Sequence, residues 1–345
     1  MTLTLDQQER LIRVGPGTPA GTWLRQFWHP VALAEQLGDS PVAVRLLGEN
    51  LALFRDAAGR ARLLDDRCLH RGTQLHTGQV VNGCLECPYH GWTYDGQGQC
   101  VLQPTEPPAA RFAERVRTTA YSTHESGGLI FAYLGPGTPP EFPVVPELRD
   151  TRGVRRIHVR DNPFNYFQLL ENNVDGAHVP ILHRDSPFET ANWLTVTQVQ
   201  GAEYRETEYG IDAKLVRFYL PNLLRLELPY FEPPAPLAFW VVPQDDTSCR
   251  TFAAMVHYAP PSPEAVQAAA IVPEQDRLAV ERQGVIYDRT RERLGASDRG
   301  IILLRELYFR HIARAVDDEG VAAAREVVAL TADGPVAGRQ SAPSA

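Results

Sequence analysis

Cysteine is scarce in this 345-residue sequence, which argues against a fold held together by disulfide bonds. The five cysteines are an odd number without regular spacing: Cys68, Cys84, Cys87, Cys100 and Cys249. Small secreted domains instead carry even numbers of cysteines at framework spacings. A chain of this length can bury enough apolar surface to fold stably without disulfide bonds. We therefore expect a reduced, cytoplasmic protein with one large or two ordinary domains.

Long apolar runs and an excess of basic residues are also missing. No apolar segment approaches the roughly 20 residues of a membrane-spanning helix, and the N-terminus lacks the charged and apolar regions of a signal peptide. Acidic residues outnumber basic ones, 42 to 34, and the formal net charge is −8. Because binding to phosphate backbones requires a concentrated basic surface, a general nucleic-acid-binding function is disfavoured. We expect neither a membrane nor a nucleic acid as partner.

Turn residues and prolines divide the chain into regions that differ in sequence pattern and composition. Short alternating segments broken by turns predict a small all-β domain over residues 41–135. Residues 136–146 contain five prolines, which predicts a linker. Residues 147–333 form a predicted second domain, and residues 1–40 a predicted N-terminal segment that packs on it. The stretch 334–345, rich in Gly, Pro, Ala and Ser, is predicted to be a disordered tail.

The second domain combines predicted helices with predicted strands, so the expected fold class is α+β. Apolar residues with helical spacing predict a helix over residues 164–178. Two amphipathic stretches, 274–294 and 298–330, predict further helices. Five runs separated by Gly or Pro predict the strands of a broad antiparallel sheet: 193–199, 214–220, 223–228, 237–242 and 251–258.

Two Cys-His pairs within the predicted β domain offer a mixed set of metal ligands. Cys68 and His70 form the first pair, and Cys87 and His90 form the second. If each pair lies on its own loop, a two-iron cluster can take two thiolates on one iron and two imidazoles on the other. Structural zinc is the alternative, but zinc sites usually have two to four residues between cysteines and three to five between histidines. The Cys-x-His spacing disfavours zinc.

The residues around these pairs resemble a known family. Cys68-Leu69-His70-Arg71-Gly72, followed after a gap by Cys87-Pro88-Tyr89-His90-Gly91-Trp92, is similar to the Rieske motif. The resemblance implies that Cys68, His70, Cys87 and His90 bind a [2Fe-2S] Rieske cluster. Leu69 stands where a proline is common, which affects the loop and removes no ligand.

A second constellation follows the predicted linker. Asp175 and His178 are spaced i, i+3 and are predicted to share a helical face, while His183 follows Pro180, which is predicted to stop or bend the helix. Two imidazoles and one carboxylate can hold a ferrous ion and leave positions open for oxygen and substrate. In isolation this pattern could also be an ordinary helix with a solvated aspartate.

The pattern Asn172-x-x-Asp175-x-x-His178-x-x-x-x-His183 is similar to the catalytic motif of Rieske non-haem iron oxygenases. This resemblance extends over nearly the whole chain and indicates the phthalate-dioxygenase-like branch. It implies a helix-grip catalytic domain in which His178 and His183 bind mononuclear Fe(II). It assigns catalytic roles to Asp175 and Asn172, with Asp175 as a bridge that passes electrons from His90 of a neighbouring subunit.

The family pattern also implies a third iron ligand, a carboxylate far along the chain. The segment Glu274-Gln275-Asp276-Arg277 followed by Glu281 resembles the expected one, so we nominate Asp276. Gln275 replaces the acid usually found before this aspartate. The alternatives are Asp288, Asp317 and Asp318, each more simply interpreted as an exposed charge. The interval from His183 to Asp276 is short for the family, which a trimmed substrate domain or a wrong choice of aspartate would explain.

The resemblance implies a terminal oxygenase that uses O2 to hydroxylate or demethylate a small aromatic or unsaturated substrate. A separate reductase or ferredoxin would deliver electrons from NAD(P)H, and passage of electrons between subunits implies a head-to-tail homotrimer. Arg217 and Arg225 are candidates for holding a substrate carboxylate. The alternatives are a Rieske electron carrier with a ligand-binding domain and no oxygen chemistry, and a ligand-binding protein with a decayed iron site.

Overall fold

The computed structural model describes residues 2–107, 112–184, 202–213 and 216–316, together with Ser186, Gln198 and Gln200. Within these residues, no helix has the length and apolar character that a membrane span requires. The predicted strand 193–199, apart from Gln198, and the predicted tail 334–345 lie outside the described residues, as do Asp317 and Asp318.

The first half of the chain forms two antiparallel sheets. The larger has the order β1-β10-β9-β4-β3-β2 and the smaller the order β5-β6-β7-β8. The ten strands are β1 Trp28–Leu33, β2 Val42–Leu46, β3 Glu49–Arg55, β4 Ala61–Asp65, β5 Gln79–Val81, β6 Cys84–Glu86, β7 Thr93–Tyr94, β8 Cys100–Leu102, β9 Ala120–Ser126 and β10 Leu129–Tyr133. This region forms strands because its sequence consists of short segments of alternating apolar and polar residues separated by tight turns.

The N-terminal segment contacts both halves of the molecule. Helix α1 (Leu5–Ile12) starts at a capping box formed by Thr4, and helix α2 (Pro19–Leu24) starts with proline in its first turn. The Tyr166 hydroxyl donates to the Leu11 carbonyl at 2.7 Å, which ties this segment to the second half of the chain. Strand β1 instead pairs with β10 of the larger first sheet. The boundary at residue 40 therefore stays a prediction.

A long antiparallel sheet dominates the second half, in the order β11-β17-β16-β15-β14-β13-β12. Its strands are β11 Val154–Asn162, β12 Tyr204–Thr207, β13 Gly210–Ala213, β14 Val216–Tyr219, β15 Leu223–Leu228, β16 Ala235–Pro243 and β17 Cys249–His257. The helices with it are α3 Pro146–Arg149, α4 Tyr166–Val174, α5 Val179–Leu182, α6 Pro263–Glu281 and α7 Arg299–Val316. The predicted α+β fold class is confirmed, with an antiparallel sheet flanked by helices.

Two helix predictions are wrong in ways that affect the site. Helix α4 ends at Val174 and Asp175 is extended, with φ −89° and ψ 104°, so Asp175 and His178 do not share a helical face. Pro180 does not stop a helix, because it lies in the first turn of α5. The helix predicted at 274–294 is Pro263–Glu281, with Pro273 inside it. Its starting signal is Ser262, whose hydroxyl accepts a hydrogen bond from the Ala265 amide.

Buried charges hold α4 against α7. Glu171 of α4 accepts hydrogen bonds from Arg289 at 2.6 Å and from Arg305 of α7 at 2.7 Å. Arg305 also pairs with Glu292 at 3.0 Å. All four side chains are buried, and two positive charges face two negative ones, so no net charge is left in the interior. This network fixes the end of α4, from which the segment Asp175–His178 leaves.

Candidate active site

Two loops with the same backbone pattern carry the four predicted cluster ligands. One loop joins β4 to β5, and the other joins β6 to β7. The Gly72 amide donates to the Cys68 carbonyl at 2.8 Å, and the Gly91 amide donates to the Cys87 carbonyl at 3.0 Å. Both glycines have positive φ, +78° and +71°, a conformation that few other residues adopt. The glycine that follows each motif therefore closes the turn that presents the ligands.

The four predicted ligand side chains lie at different depths below the surface. Cys68 and Cys87 are each only 2% exposed, whereas His70 is exposed and His90 is half-buried. The His70 and His90 rings lie 4.4 Å apart, and His70 stacks on Trp92 with ring centroids 4.6 Å apart. Two sulfurs on the inner side and two imidazoles on the outer side are the donor arrangement that a Rieske cluster requires.

The buried thiols favour a metal as their partner. Burial raises the pKa of Cys87, and the neighbouring Cys68 thiol raises it further. Two adjacent thiolates would repel each other in this apolar setting, but iron binds thiolates and would offset that repulsion. The Tyr94 hydroxyl lies 3.4 Å from the Cys68 sulfur and accepts a hydrogen bond from the Leu69 amide. The donor set therefore fits an iron–sulfur cluster.

The second constellation converges although its residues come from two segments far apart in the sequence. His178 precedes α5, His183 follows it, and Asp276 lies on α6. The Nε2 atoms of His178 and His183 lie 3.2 Å and 3.3 Å from the same Asp276 oxygen. The three candidate ligand atoms all lie within 4.8 Å of one another. One ion could therefore contact all three side chains.

Each imidazole also has an oxygen on its far side. The Nδ1 atom of His183 lies 2.8 Å from Oε1 of Gln275. The Nδ1 atom of His178 lies 3.4 Å from the Asp175 carboxylate. The acceptor at Nδ1 of His183 keeps the proton on that nitrogen and leaves its Nε2 lone pair for a metal. The Nδ1 atom of His178 is buried and has no hydrogen-bond partner among the described residues. Gln275, which replaces the usual acid in the family pattern, thus does part of what a carboxylate would do.

Neighbouring charges shift the pKa values of His178 and Asp276 in opposite directions. Burial lowers the pKa of His178, but the carboxylates of Asp175 and Asp276 outweigh it and raise that pKa to about 9. Burial likewise raises the pKa of Asp276, yet His178 and His183 bring it well below its usual range. A half-buried carboxylate between two imidazoles is the electrostatic setting in which a divalent cation can replace protons.

The structure brings some of the residues predicted for the iron site together and leaves others apart. Asn172 joins the group, because its side-chain amide lies 3.4 Å from the Asp276 carboxylate. The alternative ligand Asp288 is exposed, and its carboxylate accepts hydrogen bonds from Thr290. Among the described residues, His178, His183 and Asp276 are the group that meets at one point.

Comparisons with known proteins match this architecture. The family model of the Rieske [2Fe-2S] domain matches residues 27–118. The chain is 32% identical to the 5,5'-dehydrodivanillate O-demethylase oxygenase subunit of Sphingobium sp. (strain NBRC 103272 / SYK-6), over 92% of this chain and 83% of that protein. It is 33% identical to the phenoxybenzoate dioxygenase subunit alpha of Ectopseudomonas oleovorans, over 88% and 84% respectively. The chain belongs to the Rieske non-haem iron oxygenases.

The solved structure of Pseudomonas putida CBB5 NdmB has the same fold, with a TM-score of 0.74 at 24% identity, covering 89% of this chain and 96% of that one. The predicted family is therefore confirmed, and the chain is the oxygenase component of such a system. Rieske oxygenases use a [2Fe-2S] cluster, a mononuclear iron and O2, and a partner reductase supplies their electrons. The two relatives that match 92% and 88% of the chain are oxygenase subunits, which disfavours the electron-carrier alternative.

A large cavity of about 870 Å³ adjoins the triad of this Rieske oxygenase, and His178, His183 and Asp276 all lie in its wall. One wall is the face of the second sheet, with apolar side chains such as Leu224, Leu226, Phe218 and Phe239. Helix α6 forms another wall. A cavity of this size can enclose a molecule with one or two rings.

The two arginines proposed for a substrate carboxylate do not line the described wall of this cavity. Arg225 pairs with the buried Glu147, at 2.9 Å. Arg217 is the register partner of Arg225 on β14, so both lie on the sheet face opposite to Phe218. The sequence does not show which face of a strand lines the cavity, so it could not separate arginines on that face from arginines on the opposite one.

Proposed function

We propose that this Rieske oxygenase hydroxylates a small aromatic substrate bound in the 870 Å³ cavity, or demethylates it by hydroxylating a methyl group. The observation that carries the proposal is the position of His178, His183 and Asp276, whose converging donor atoms open onto an apolar cavity. We further propose that the protein acts in the cytoplasm and takes its electrons from an NAD(P)H-dependent reductase or ferredoxin.

In this proposal, Cys68, His70, Cys87 and His90 hold the [2Fe-2S] cluster. The mononuclear Fe(II) is held by the triad His178, His183 and Asp276, and it would supply the centre at which O2 is activated. The apolar side chains on the sheet face of the cavity would limit the access of bulk water to the reacting atoms. Asn172 donates to Asp276 at 3.4 Å and would keep that carboxylate oriented.

The names of two relatives support both kinds of chemistry. One is an O-demethylase that acts on 5,5'-dehydrodivanillate, and another is a dioxygenase that acts on phenoxybenzoate. Both names describe aromatic molecules of a size that the cavity of this chain could enclose. Hydroxylation of a ring carbon and of a methoxy carbon need the same iron and oxygen, and the pose of the substrate would decide between them.

The test is a product assay with the purified holoprotein, a compatible Rieske reductase and NADH. A panel of methoxylated and carboxylated aromatics is screened for hydroxylated products and for formaldehyde. We expect at least one member to give product in amounts that follow NADH and O2 consumption. His178→Ala provides the control, because it should abolish product and leave the cluster absorbance unchanged. Product that persists in His178→Ala would contradict the proposal.

We also propose that Asp175 carries electrons from His90 of a neighbouring subunit and that the assembly is a homotrimer. Within one chain, Asp175 contacts the Ala177 amide and His178 but no cluster ligand among the described residues. The cluster histidines lie at the surface, where Leu69 and Tyr89 are 52% and 55% exposed. A second subunit placed head to tail would cover this surface and bring its own Asp175 near, and such a repeated contact closes into a ring.

Mixed assemblies test this relay. Asp175→Asn leaves both metal sites intact but removes the bridge, and Cys87→Ser removes the cluster but leaves the iron site. Each variant alone should lose most of its activity. When the two are co-expressed and purified as one assembly, we expect activity to return to roughly a fifth of the wild-type value or more, because an intact Asp175 can meet the intact cluster of a neighbour. A relay within one chain predicts no recovery.

A further inference from the structure

One end of the cavity is basic, whereas the sheet face that forms most of the wall is apolar. Strand β11 lies at the edge of the sheet and places Arg156, His158 and Arg160 in the cavity wall at alternate positions. Their register partners on β17 line the cavity too, and β17 ends at His257, which lies in the same wall. Arg156 and His158 therefore lie near His257 at this end of the cavity, and Arg160 lies farther along the strand.

Only part of this positive charge is balanced by the protein. Arg160 donates to Glu274 at 2.7 Å, and Arg277 of α6 donates to the same carboxylate at 2.7 Å. Arg156 makes no ion pair with any residue in the described part of the chain. An unpaired guanidinium at the edge of an apolar cavity is available to an anionic ligand, and its planar fork matches a carboxylate.

His257 is the second unusual group at this end. It is only 9% exposed, and its Nδ1 atom is buried without a hydrogen-bond partner. The structure gives Nε2 no protein partner within the described residues either. The Phe231 ring packs edge-on against the imidazole, with centroids 4.7 Å apart. A buried polar ring without partners is costly, and such groups commonly mark a ligand site.

The surroundings of His257 determine its charge and the hydrogen bond that it can donate. Burial lowers its pKa, and the nearby Arg156 and His158 lower it further, so the ring is neutral near pH 7. Because Nδ1 is sealed off, the ring proton is best placed on Nε2, where a ligand in the cavity can accept it. His257 thus provides one neutral donor beside the charged donors of Arg156.

We propose that Arg156 and His257 bind the carboxylate of an aromatic acid, whose ring lies along the apolar sheet face toward His178, His183 and Asp276. This inference rests on the proposed function, since it assumes that the substrate occupies this cavity. The carboxylate accepts from the Arg156 guanidinium and from Nε2 of His257. The two groups would thereby set which carbon of the substrate faces the iron, which makes them specificity-determining residues.

The experiment compares binding of a matched pair of probes to the holoprotein by titration calorimetry without reductase. The acid is 3-phenoxybenzoate, and its neutral counterpart is 3-phenoxybenzyl alcohol. We expect the acid to bind wild type about tenfold or more tightly than the alcohol, as one charge-assisted pair in a partly apolar site allows. Arg156→Gln and His257→Leu should each weaken acid binding about tenfold and leave alcohol binding within about threefold.

Two further variants separate recognition from a general loss of structure. Arg160→Gln lies on the same strand and face but removes a side chain already paired with Glu274, so acid binding should change by less than about threefold. His257→Gln keeps a side-chain donor and should recover part of what His257→Leu loses. Equal affinity of wild type for acid and alcohol would overturn the proposal, and so would parallel losses for both probes in Arg156→Gln. Because the readout is binding, it can fail while the product assay succeeds, or the reverse.

Discussion

Replacing Asp276 by alanine should leave about two irons in each chain where the wild type holds about three, and should lower product formation by roughly a thousandfold or more. The reason lies in the geometry of the triad. A single Asp276 oxygen lies 3.2 Å and 3.3 Å from the two imidazoles, so the carboxylate provides the only negative charge that faces both Nε2 atoms in the described part of the site. Two neutral imidazoles alone bind ferrous ion weakly.

The readouts for Asp276→Ala are iron content, cluster absorbance and product formation. The cluster absorbance should not change, because the four predicted cluster ligands lie on two loops in the first half of the chain, whereas Asp276 lies on α6. Asp288→Ala is the matched control, since Asp288 is the alternative ligand that the structure places at the surface. Full iron content in Asp276→Ala, or loss of the third iron in Asp288→Ala, would show that the wrong aspartate has been assigned.

Gln275→Leu should weaken binding of the mononuclear iron by about 10- to 100-fold. In the structure the Gln275 carbonyl oxygen lies 2.8 Å from Nδ1 of His183, which is buried. Leucine would leave that N–H without an acceptor and would free the ring to turn away from Asp276. Competition with a ferrous chelator measures the affinity directly, without turnover of the enzyme.

The amide oxygen, and not the bulk of the side chain, is the feature under test. Gln275→Glu keeps an acceptor at the same place and should retain iron at least as well as the wild type. Gln283→Leu changes an exposed glutamine just beyond the end of α6 and should have no effect. If Gln275→Leu binds iron as tightly as the wild type, the hydrogen bond to His183 does not orient the ligand.

Features held within a few consecutive residues were predictable from the sequence. Each Cys-x-His or Cys-Pro-Tyr-His unit lies on one loop, so its spacing alone indicates the cluster chemistry. The structure adds the reason for the glycine after each unit, since Gly72 and Gly91 close the turns with positive φ. His178 and His183 could be predicted as a ligand pair for the same reason, because they flank a single short helix, α5.

Features that depend on contacts distant in sequence were predicted less well. Asp276 came from a family pattern, and the sequence gives no measure of its distance from His178. The predicted helix starts at residue 274, whereas helix α6 starts at the Ser262 cap and includes Pro273. The end of α6 was also not predicted. Gly284 lies just after the helix with a φ of +95°, a conformation that favours glycine and commonly ends a helix.

The basic end of the cavity was not predicted at all. Strand β11 was missed, and with it the alternation of Arg156, His158 and Arg160 that places all three on one face. The period-two pattern of basic residues was the available signal. What it could not supply is the register with β17, which brings His257 to the same end of the cavity, opposite the start of β11. Which strands neighbour each other in a sheet is a property of the whole fold.

Each chain of this oxygenase is expected to hold an electron-transfer cluster and a separate iron centre. Metal analysis combined with electron paramagnetic resonance, on protein reconstituted anaerobically with iron and sulfide, tests it most directly. We expect about three irons per chain, two giving the signal of a reduced Rieske cluster and one that is lost in Asp276→Ala. Zinc at the Cys68 and Cys87 loops, or no more than two irons per chain in the wild type, would contradict it.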